Sequence, residues 1–93
     1  MKKIKLDNYM KYISKQNQDL FVIEEMSELT KEFLKRRRGN CNRPQIVSEI
    51  ADIYLTLEIY CNLYGISDDT LIVLMEQKLD RMKEKSEIER VAL

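Results

Sequence analysis

The chain has 93 residues and a mass of 11.1 kDa. This size predicts a single domain over residues 1–93. Its 16 basic and 16 acidic residues cancel, so no net field attracts nucleic acid or an acidic membrane. The sequence contains no histidine. That absence excludes Ser-His-Asp and Cys-His catalytic sites and the usual histidine-containing zinc sites.

The remaining composition predicts a cytoplasmic protein. Cys41 and Cys61 form no CxxC motif and are too few for a disulfide framework, so reduced thiols are expected. The opening residues MKKIKLD contain no apolar run typical of a signal peptide. No stretch approaches the ~18 uncharged apolar residues that a membrane span needs.

Glycine and proline mark two of the three joints between predicted helices, and the pattern predicts an all-α fold. Gly39-Asn40 suits a helix C-terminus, Pro44 suits a first helical turn, and Gly65 again follows a helix. Ser67 and the acids that follow it favour another helix start. We expect an antiparallel bundle of four helices, three of them long, at about residues 7–16, 18 or 19–38, 43 or 44–64 and 68–90.

The third predicted helix is apolar around most of its circumference. Between Ile46 and Tyr64 its only charged residues are three acids, Glu49, Asp52 and Glu58. A helix of this kind is buried on several sides, which a 93-residue chain cannot achieve with its own helices alone. The sequence therefore predicts a homo-oligomer, a dimer or a dimer-of-dimers tetramer. Its central stripe comprises Ile46, Ile50, Ile53, Leu57, Cys61 and Tyr64.

Two pairs of carboxylates are predicted to face one place. Glu25 and Glu28 lie three residues apart beside the stripe Val22, Met26, Leu29 and Phe33, and Glu49 and Asp52 lie three apart on the third helix. Each pair is offset from its stripe by similar angles in the same sense. In an antiparallel hairpin such pairs converge at one rim, where repulsion invites Mg²⁺, or Mn²⁺ as a substitute. The alternative is a solvated face without a ligand, since acid pairs at this spacing are common.

Basic residues suggest a phosphate-bearing ligand. Lys78 and Arg81 fall on the corresponding side of the fourth helix, whose stripe is Leu71, Met75, Leu79 and Met82. Cations beside metal-binding carboxylates suit a polyphosphate, although lysine and arginine also commonly flank a core edge. The basic segment 35–38 with Arg43 more often stabilises a helix C-terminus than binds nucleic acid, and no nucleic-acid-reading motif accompanies it.

Glu24-Glu25-Met26-Ser27-Glu28, followed after twenty residues by Glu49-Ile50-Ala51-Asp52, resembles the EExxE…ExxD signature of the MazG-like nucleotide pyrophosphohydrolases. The likeness extends over about residues 20–83. It implies an all-α fold with Mg²⁺ bound by Glu25, Glu28, Glu49 and Asp52. The implied reaction converts a nucleoside triphosphate and water to the monophosphate and pyrophosphate, with water attacking the α-phosphorus and Lys78 and Arg81 holding phosphates.

Two alternatives to this function remain open at the level of sequence. One is a non-catalytic helical oligomerisation or regulatory module whose acids serve solubility. The placement of Glu49 and Asp52 on a helix without basic residues speaks against it, because isolated buried carboxylates are costly. The other is an enzyme similar to phosphoribosyl-ATP pyrophosphatase, which shares the helical carboxylate arrangement.

Overall fold

The computed structural model describes residues 5–92, and over that range the chain is helical without strands. Its three α-helices are α1 (Gln18–Arg37), α2 (Arg43–Leu63) and α3 (Asp68–Ala92). These bounds agree with the three long helices expected from the sequence. None of the described helices combines the length and apolarity needed to cross a membrane.

The prediction of a first helix at residues 7–16 is wrong. This segment instead forms two 3₁₀ turns, Leu6–Asn8 and Met10–Tyr12, each closed by a short backbone hydrogen bond. A helix of about ten residues is marginal without packing, and Leu6 is the only buried residue among residues 5–16. Asn17 then adopts a left-handed conformation with φ of 61°, which breaks the segment from α1.

The joints lie where the sequence places its special residues. Gly39, with φ of 95°, and Gly65, with φ of 65°, follow α1 and α2 in conformations that disfavour other residues. Pro44 occupies the first turn of α2, where a missing N–H leaves no hydrogen bond unmade. The five residues 38–42 therefore turn the chain sharply between two long helices, which pack antiparallel.

Asn42 fixes how α2 meets α1. Its side chain is buried, and its Nδ2 donates to the backbone oxygen of Glu32 at 2.8 Å and to Glu32 Oε2 at 2.6 Å. Lys35 Nζ lies 3.2 Å from the other oxygen of the same carboxylate. The pKa of Glu32 is lowered by these hydrogen bonds, first that from Asn42. One amide thus ties the start of α2 to the last turns of α1.

The contact between the two helices, called the seam here, follows an alternating spacing of three and four residues. This spacing is typical of helices packed at a small crossing angle. On α1 the less exposed positions are Gln18, Val22, Glu25, Leu29 and Glu32, and on α2 they include Ile46, Glu49, Ile53, Thr56, the buried Ile59, Tyr60 and Leu63. Glutamates thus occupy central positions of the contact, where an apolar core is usual.

The apolar stripes expected to form the core are displaced from the seam. Of the stripe residues, only some lie in the seam: Val22 and Leu29 on α1, and Ile46 and Ile53 on α2. Others are 41–62% exposed, namely Met26, Phe33, Leu57 and Tyr64. A rotation of roughly 60° about each helix axis accounts for the change. Because the helices are antiparallel, both rotations leave apolar side chains on the same side of the hairpin.

The third helix does not complete a bundle within the described chain. Only its beginning approaches the end of α2, and α3 makes no extended contact with α1 or α2. The radius of gyration is 17.2 Å, against about 12 Å for a compact chain of this length. The described residues therefore form an all-α hairpin with a third helix extending away from it.

Candidate metal centre

The seam brings carboxylates from both helices into one cluster. Glu25 on α1 and Glu49 and Asp52 on α2 each offer an oxygen within 4.8 Å of the others. They meet because the helices are antiparallel and Asn42 sets their axial register. We call these three residues the carboxylate cluster. It brings together three of the four acids predicted to bind a metal.

Glu28, the fourth predicted ligand, lies beside the cluster but outside it. Its side chain is half exposed, and Oε1 lies 3.3 Å from Nζ of Lys31 one turn further along α1. An exposed ion pair of this type contributes little to stability, so this contact does not hold Glu28 firmly. The charge of Glu28 still reaches the cluster, where it raises the pKa values of Glu25 and Glu49.

Burial and mutual repulsion make the ionised cluster unfavourable. Desolvation is the main cause of the raised pKa of Glu25, followed by the charge of Asp52. The same two causes, in the same order, raise the pKa of Glu49. A hydrogen bond between Glu25 and Asp52 also favours the protonated form of Glu25. The site therefore favours whatever neutralises it, a proton at low pH or a cation.

One oxygen of the cluster lacks any partner. Glu49 Oε2 is shielded from solvent and accepts no hydrogen bond from the described residues. Buried polar atoms without a partner are uncommon and costly. Glu49 also offers one carboxylate oxygen to the cluster, whose three residues supply only hard oxygen donors.

The spacing of the cluster suits a hard divalent ion. An octahedral Mg²⁺ binds oxygens at 2.0–2.1 Å and so separates opposite ligands by about 4.2 Å. Adjacent ligands of the same ion lie about 2.9 Å apart, so the three oxygens, now within 4.8 Å of one another, would have to move closer to share it. The three carboxylates could then hold a hard divalent ion such as Mg²⁺ or Mn²⁺, with the charge of Glu28 acting on them from nearby.

The predicted phosphate-binding residues lie elsewhere in the chain. Lys78 and Arg81 are exposed on α3, and neither contributes to the shifted pKa values in the cluster. The structure does not bring them to the carboxylates, because α3 does not pack along the hairpin. The two cysteines are free thiols, Cys41 exposed and Cys61 half-buried, and Cys61 has a pKa raised by burial.

Sequence reasoning missed the contributions of Glu32 and Asn42. Glu32 lies one turn from Glu28 in the seam, and its charge helps to raise the pKa of Glu49. Asn42 precedes the first turn of α2, yet its side chain makes no capping bond and instead binds Glu32. An asparagine before Arg-Pro commonly signals only a helix start, so no pattern pointed to this contact.

Comparison with known proteins gives no family assignment, because no family model, curated protein or solved structure matches the chain. The interpretation of the site consequently depends on its own geometry and on the EExxE…ExxD resemblance.

The raised pKa values predict how stability changes with pH. Between the ordinary value of 4.5 and the raised values of Glu25 and Glu49, the folded state binds more protons than the unfolded state. The free energy of unfolding contributed by these groups therefore falls as pH rises above 4.5 toward neutrality. Urea denaturation in a chelator, measured across that range, checks the sign.

A matched variant separates the contribution of the cluster to the pH dependence of stability from that of Glu32. The lowered pKa of Glu32 makes stability rise with pH, the opposite direction. Glu49→Gln should flatten the loss of stability, since it removes one titrating group and part of the repulsion on Glu25. Equal pH dependence of the two proteins would contradict the assignment of mutual repulsion to this cluster.

Proposed function

We propose that the protein is a Mg²⁺-dependent nucleoside triphosphate pyrophosphohydrolase that acts as a homo-oligomer, a dimer or a tetramer. The observation that carries this proposal is the cluster of Glu25, Glu49 and Asp52 across the seam, in which Glu49 also has a shielded oxygen, Oε2, without a hydrogen-bond partner. The spacing of these residues within EExxE…ExxD supports nucleotide hydrolysis over other uses of a metal. Free thiols at Cys41 and Cys61 support a reducing compartment, the cytoplasm.

Each residue of the cluster has a definite part in this mechanism. Glu49 and Asp52 from α2, with Glu25 from α1, would hold the cation in the seam, and Glu28 could join them on leaving Lys31. Mg²⁺ bound there would supply charge neutralisation for the triphosphate oxygens and a lowered pKa for water in contact with it. Water would attack the α-phosphorus as its bond to the pyrophosphate oxygen breaks, pyrophosphate leaving with the electron pair of that bond and the proton of the water passing to solvent. Lys78 and Arg81 are assigned to the β- and γ-phosphates, although α3 of the same chain does not bring them to the cluster.

A charged seam also favours this function over a purely structural hairpin. A scaffold gains no stability from carboxylates at its helix contact, since desolvation and repulsion both oppose folding. Binding sites commonly retain such unfavourable groups, because the ligand compensates them when it arrives. An enzyme similar to phosphoribosyl-ATP pyrophosphatase would use the same cluster, so a substrate panel separates these two enzymatic activities.

Magnesium is expected to stabilise the protein and to support pyrophosphate release. At a tenfold excess over its dissociation constant, an ion specific for the folded state adds about 1.4 kcal/mol. For a chain of this size that corresponds to a rise of roughly 5–10 °C in Tm. Thermal denaturation with and without millimolar MgCl₂ measures the shift. Pyrophosphate release from a panel of ribo- and deoxyribonucleoside triphosphates and phosphoribosyl-ATP tests the reaction.

The outcomes separate the candidate functions. A magnesium-dependent rise in Tm with hydrolysis of nucleoside triphosphates supports the proposal, and preference for phosphoribosyl-ATP selects the related activity. Absence of both the Tm shift and any hydrolysis would favour the non-catalytic oligomerisation module.

A further inference from the structure

The carboxylate cluster lies toward one side of the hairpin, called the cluster side here. Glu28 and Asp52 define it, because each lies about 60–80° from the centre of the seam in the same sense. The exposed side chains of Met26 and Phe33 lie on the opposite side. Along the helix axes, the cluster side differs in polarity before and after the carboxylates.

Toward the start of α1, the cluster side is apolar. Phe21 lies one turn before Glu25, falls about 60° from the seam centre in the same sense as Glu28, and is 45% exposed. Because the two helices are antiparallel, the same direction on α2 runs toward its C-terminus, where Leu55 follows Asp52 and is 43% exposed. An exposed aromatic ring therefore adjoins the carboxylates at this end.

Toward the 38–42 connection, the cluster side is polar and carries a cation. Lys31 Nζ lies 3.3 Å from Glu28 Oε1, and both side chains are more than half exposed. Gln45 and Ser48 of α2 are exposed at this end as well. Since the charge of Glu28 reaches the carboxylate cluster, the structure places a cation one contact away from it.

We propose that the nucleotide lies along the cluster side in one direction, with its β- and γ-phosphates at Lys31 and its base stacked on Phe21. This inference rests on the proposed function, because it orients the substrate of the same cluster. It supplies from α1 a cation for the phosphates, whereas α3 of the same chain brings none to the carboxylates. It also gives the base a contact within the hairpin.

The phosphate contact follows from the weakness of the ion pair that holds Lys31. An exposed pair at this spacing contributes little to stability. A triphosphate carries more negative charge than one carboxylate, and its oxygens form strong charge-assisted hydrogen bonds with lysine. A phosphate that takes Lys31 Nζ releases Glu28, whose side chain is then free to turn toward Glu25 and Glu49. Arrival of the phosphates is thus coupled to completion of the four predicted acids.

The base contact follows from the chemistry of an exposed aromatic ring. Every nucleobase has a π-face that stacks on such a ring, and the stacking tolerates any base. Phe21 offers no hydrogen bond, so it favours an aromatic group without selecting one base. The direction is fixed as well, because the reverse arrangement would place the phosphates against Phe21 and Leu55, and an uncharged base beside Lys31.

Binding measurements with two probes test the two contacts. One probe is the α,β-methylene analogue of ATP, which resists cleavage between the α- and β-phosphorus atoms, and the other is inorganic tripolyphosphate, which has no base. Each is titrated calorimetrically with MgCl₂ present. Phe21→Ala should weaken binding of the analogue by roughly 10-fold and leave tripolyphosphate binding unchanged. Lys31→Ala should weaken binding of both probes by roughly 10-fold.

Matched variants control for the loss of a ring and of a lysine. Phe33→Ala removes a ring of similar exposure, 49%, from the opposite side of the hairpin. Lys83→Ala removes an exposed lysine of α3. Neither should change the affinity for either probe. Phe21→Leu keeps the apolar bulk without the ring, and replaces Phe21→Ala if circular dichroism shows that the alanine variant does not fold.

Two results would overturn the proposed orientation. One is an affinity for the analogue that is the same in the folded Phe21 variant as in the wild type. The other is unchanged tripolyphosphate binding by Lys31→Ala. Either result, with a wild-type protein that hydrolyses nucleotides, would leave the proposed function standing. A wild-type protein that binds neither probe and hydrolyses no nucleotide would remove both.

Discussion

Replacing Glu49 by glutamine is expected to abolish the magnesium-dependent rise in Tm and to reduce pyrophosphate release by roughly 100-fold or more, since changes even outside the ligand shell of a metal cost 10–100-fold. Glutamine keeps the size of the side chain but removes the charge that a hard cation needs. The cluster would lose one carboxylate, while the packing of the seam would change little.

The same substitution should stabilise the metal-free protein near neutral pH. It removes one of the charges that raise the pKa of Glu25 and one desolvated carboxylate. A variant with higher Tm in chelator and no rise in Tm with MgCl₂ differs from a destabilised variant, whose Tm would be lower in both conditions. Differential scanning calorimetry with chelator and with MgCl₂, beside a pyrophosphate assay, measures both.

Glu24→Gln is the matched control for this experiment. It removes the same charge from the residue next to Glu25, but Glu24 is exposed and takes no part in the carboxylate cluster. It should retain the magnesium response and the hydrolysis rate. A Glu49→Gln protein that hydrolyses nucleotides at the wild-type rate would remove the cluster from the mechanism.

Met75→Asp is expected to have the second large effect, a rise of roughly 10³-fold in the dissociation constant of the proposed homodimer, because Met75 lies in the exposed apolar stripe of α3. Losing the burial of one methionine in the contact between copies costs about 2 kcal/mol, and a twofold dimer loses it twice. Desolvating the new carboxylates in an apolar contact adds to this penalty. Analytical ultracentrifugation over a range of concentrations measures the change.

Gln77→Asp provides the comparison, because it adds the same charge two residues further along α3 on a face turned away from the stripe. Its dimer should dissociate at nearly the wild-type concentration. Equal dissociation constants for Met75→Asp and the wild type would place the contact between copies on another surface.

The helix boundaries could be predicted because single residues determine them. Gly39 and Gly65 adopt conformations that favour glycine, and Pro44 needs no hydrogen bond at its nitrogen, so local chemistry alone placed the ends of α1 and α2. The segment 7–16 could not be predicted in the same way. Its helix depended on packing partners that the sequence does not specify, and 3₁₀ turns formed instead.

The meeting of the acids also followed from periodicity, but the details of the site did not. Equal angular offsets on antiparallel helices place Glu25 and Glu49 on the same side of the hairpin, and they meet because the contact face lies close to both. Which face forms the contact depends on how two whole helices pack, and the seam formed about 60° from the expected stripes. The pairing of Glu28 with Lys31 depends on side-chain rotamers, which spacing does not encode.

The position of α3 could not be predicted from the sequence, for a related reason. Periodicity identifies the apolar stripe of α3 but does not say which surface covers it. The described chain has two exposed apolar faces, one on the α1–α2 hairpin and one on α3. The sequence thus predicted a need for self-association without showing the contact that satisfies it.

The hydrogen bonds between Asn42 and Glu32 make the packing of α2 on α1 sensitive to the length of the connection between them. Each residue added to or removed from segment 38–42 would shift where α2 begins, and a shift of one position turns the helix by 100° relative to α1. Insertions in this loop should therefore separate the carboxylates, and related sequences that keep the carboxylates should keep its five-residue span as well.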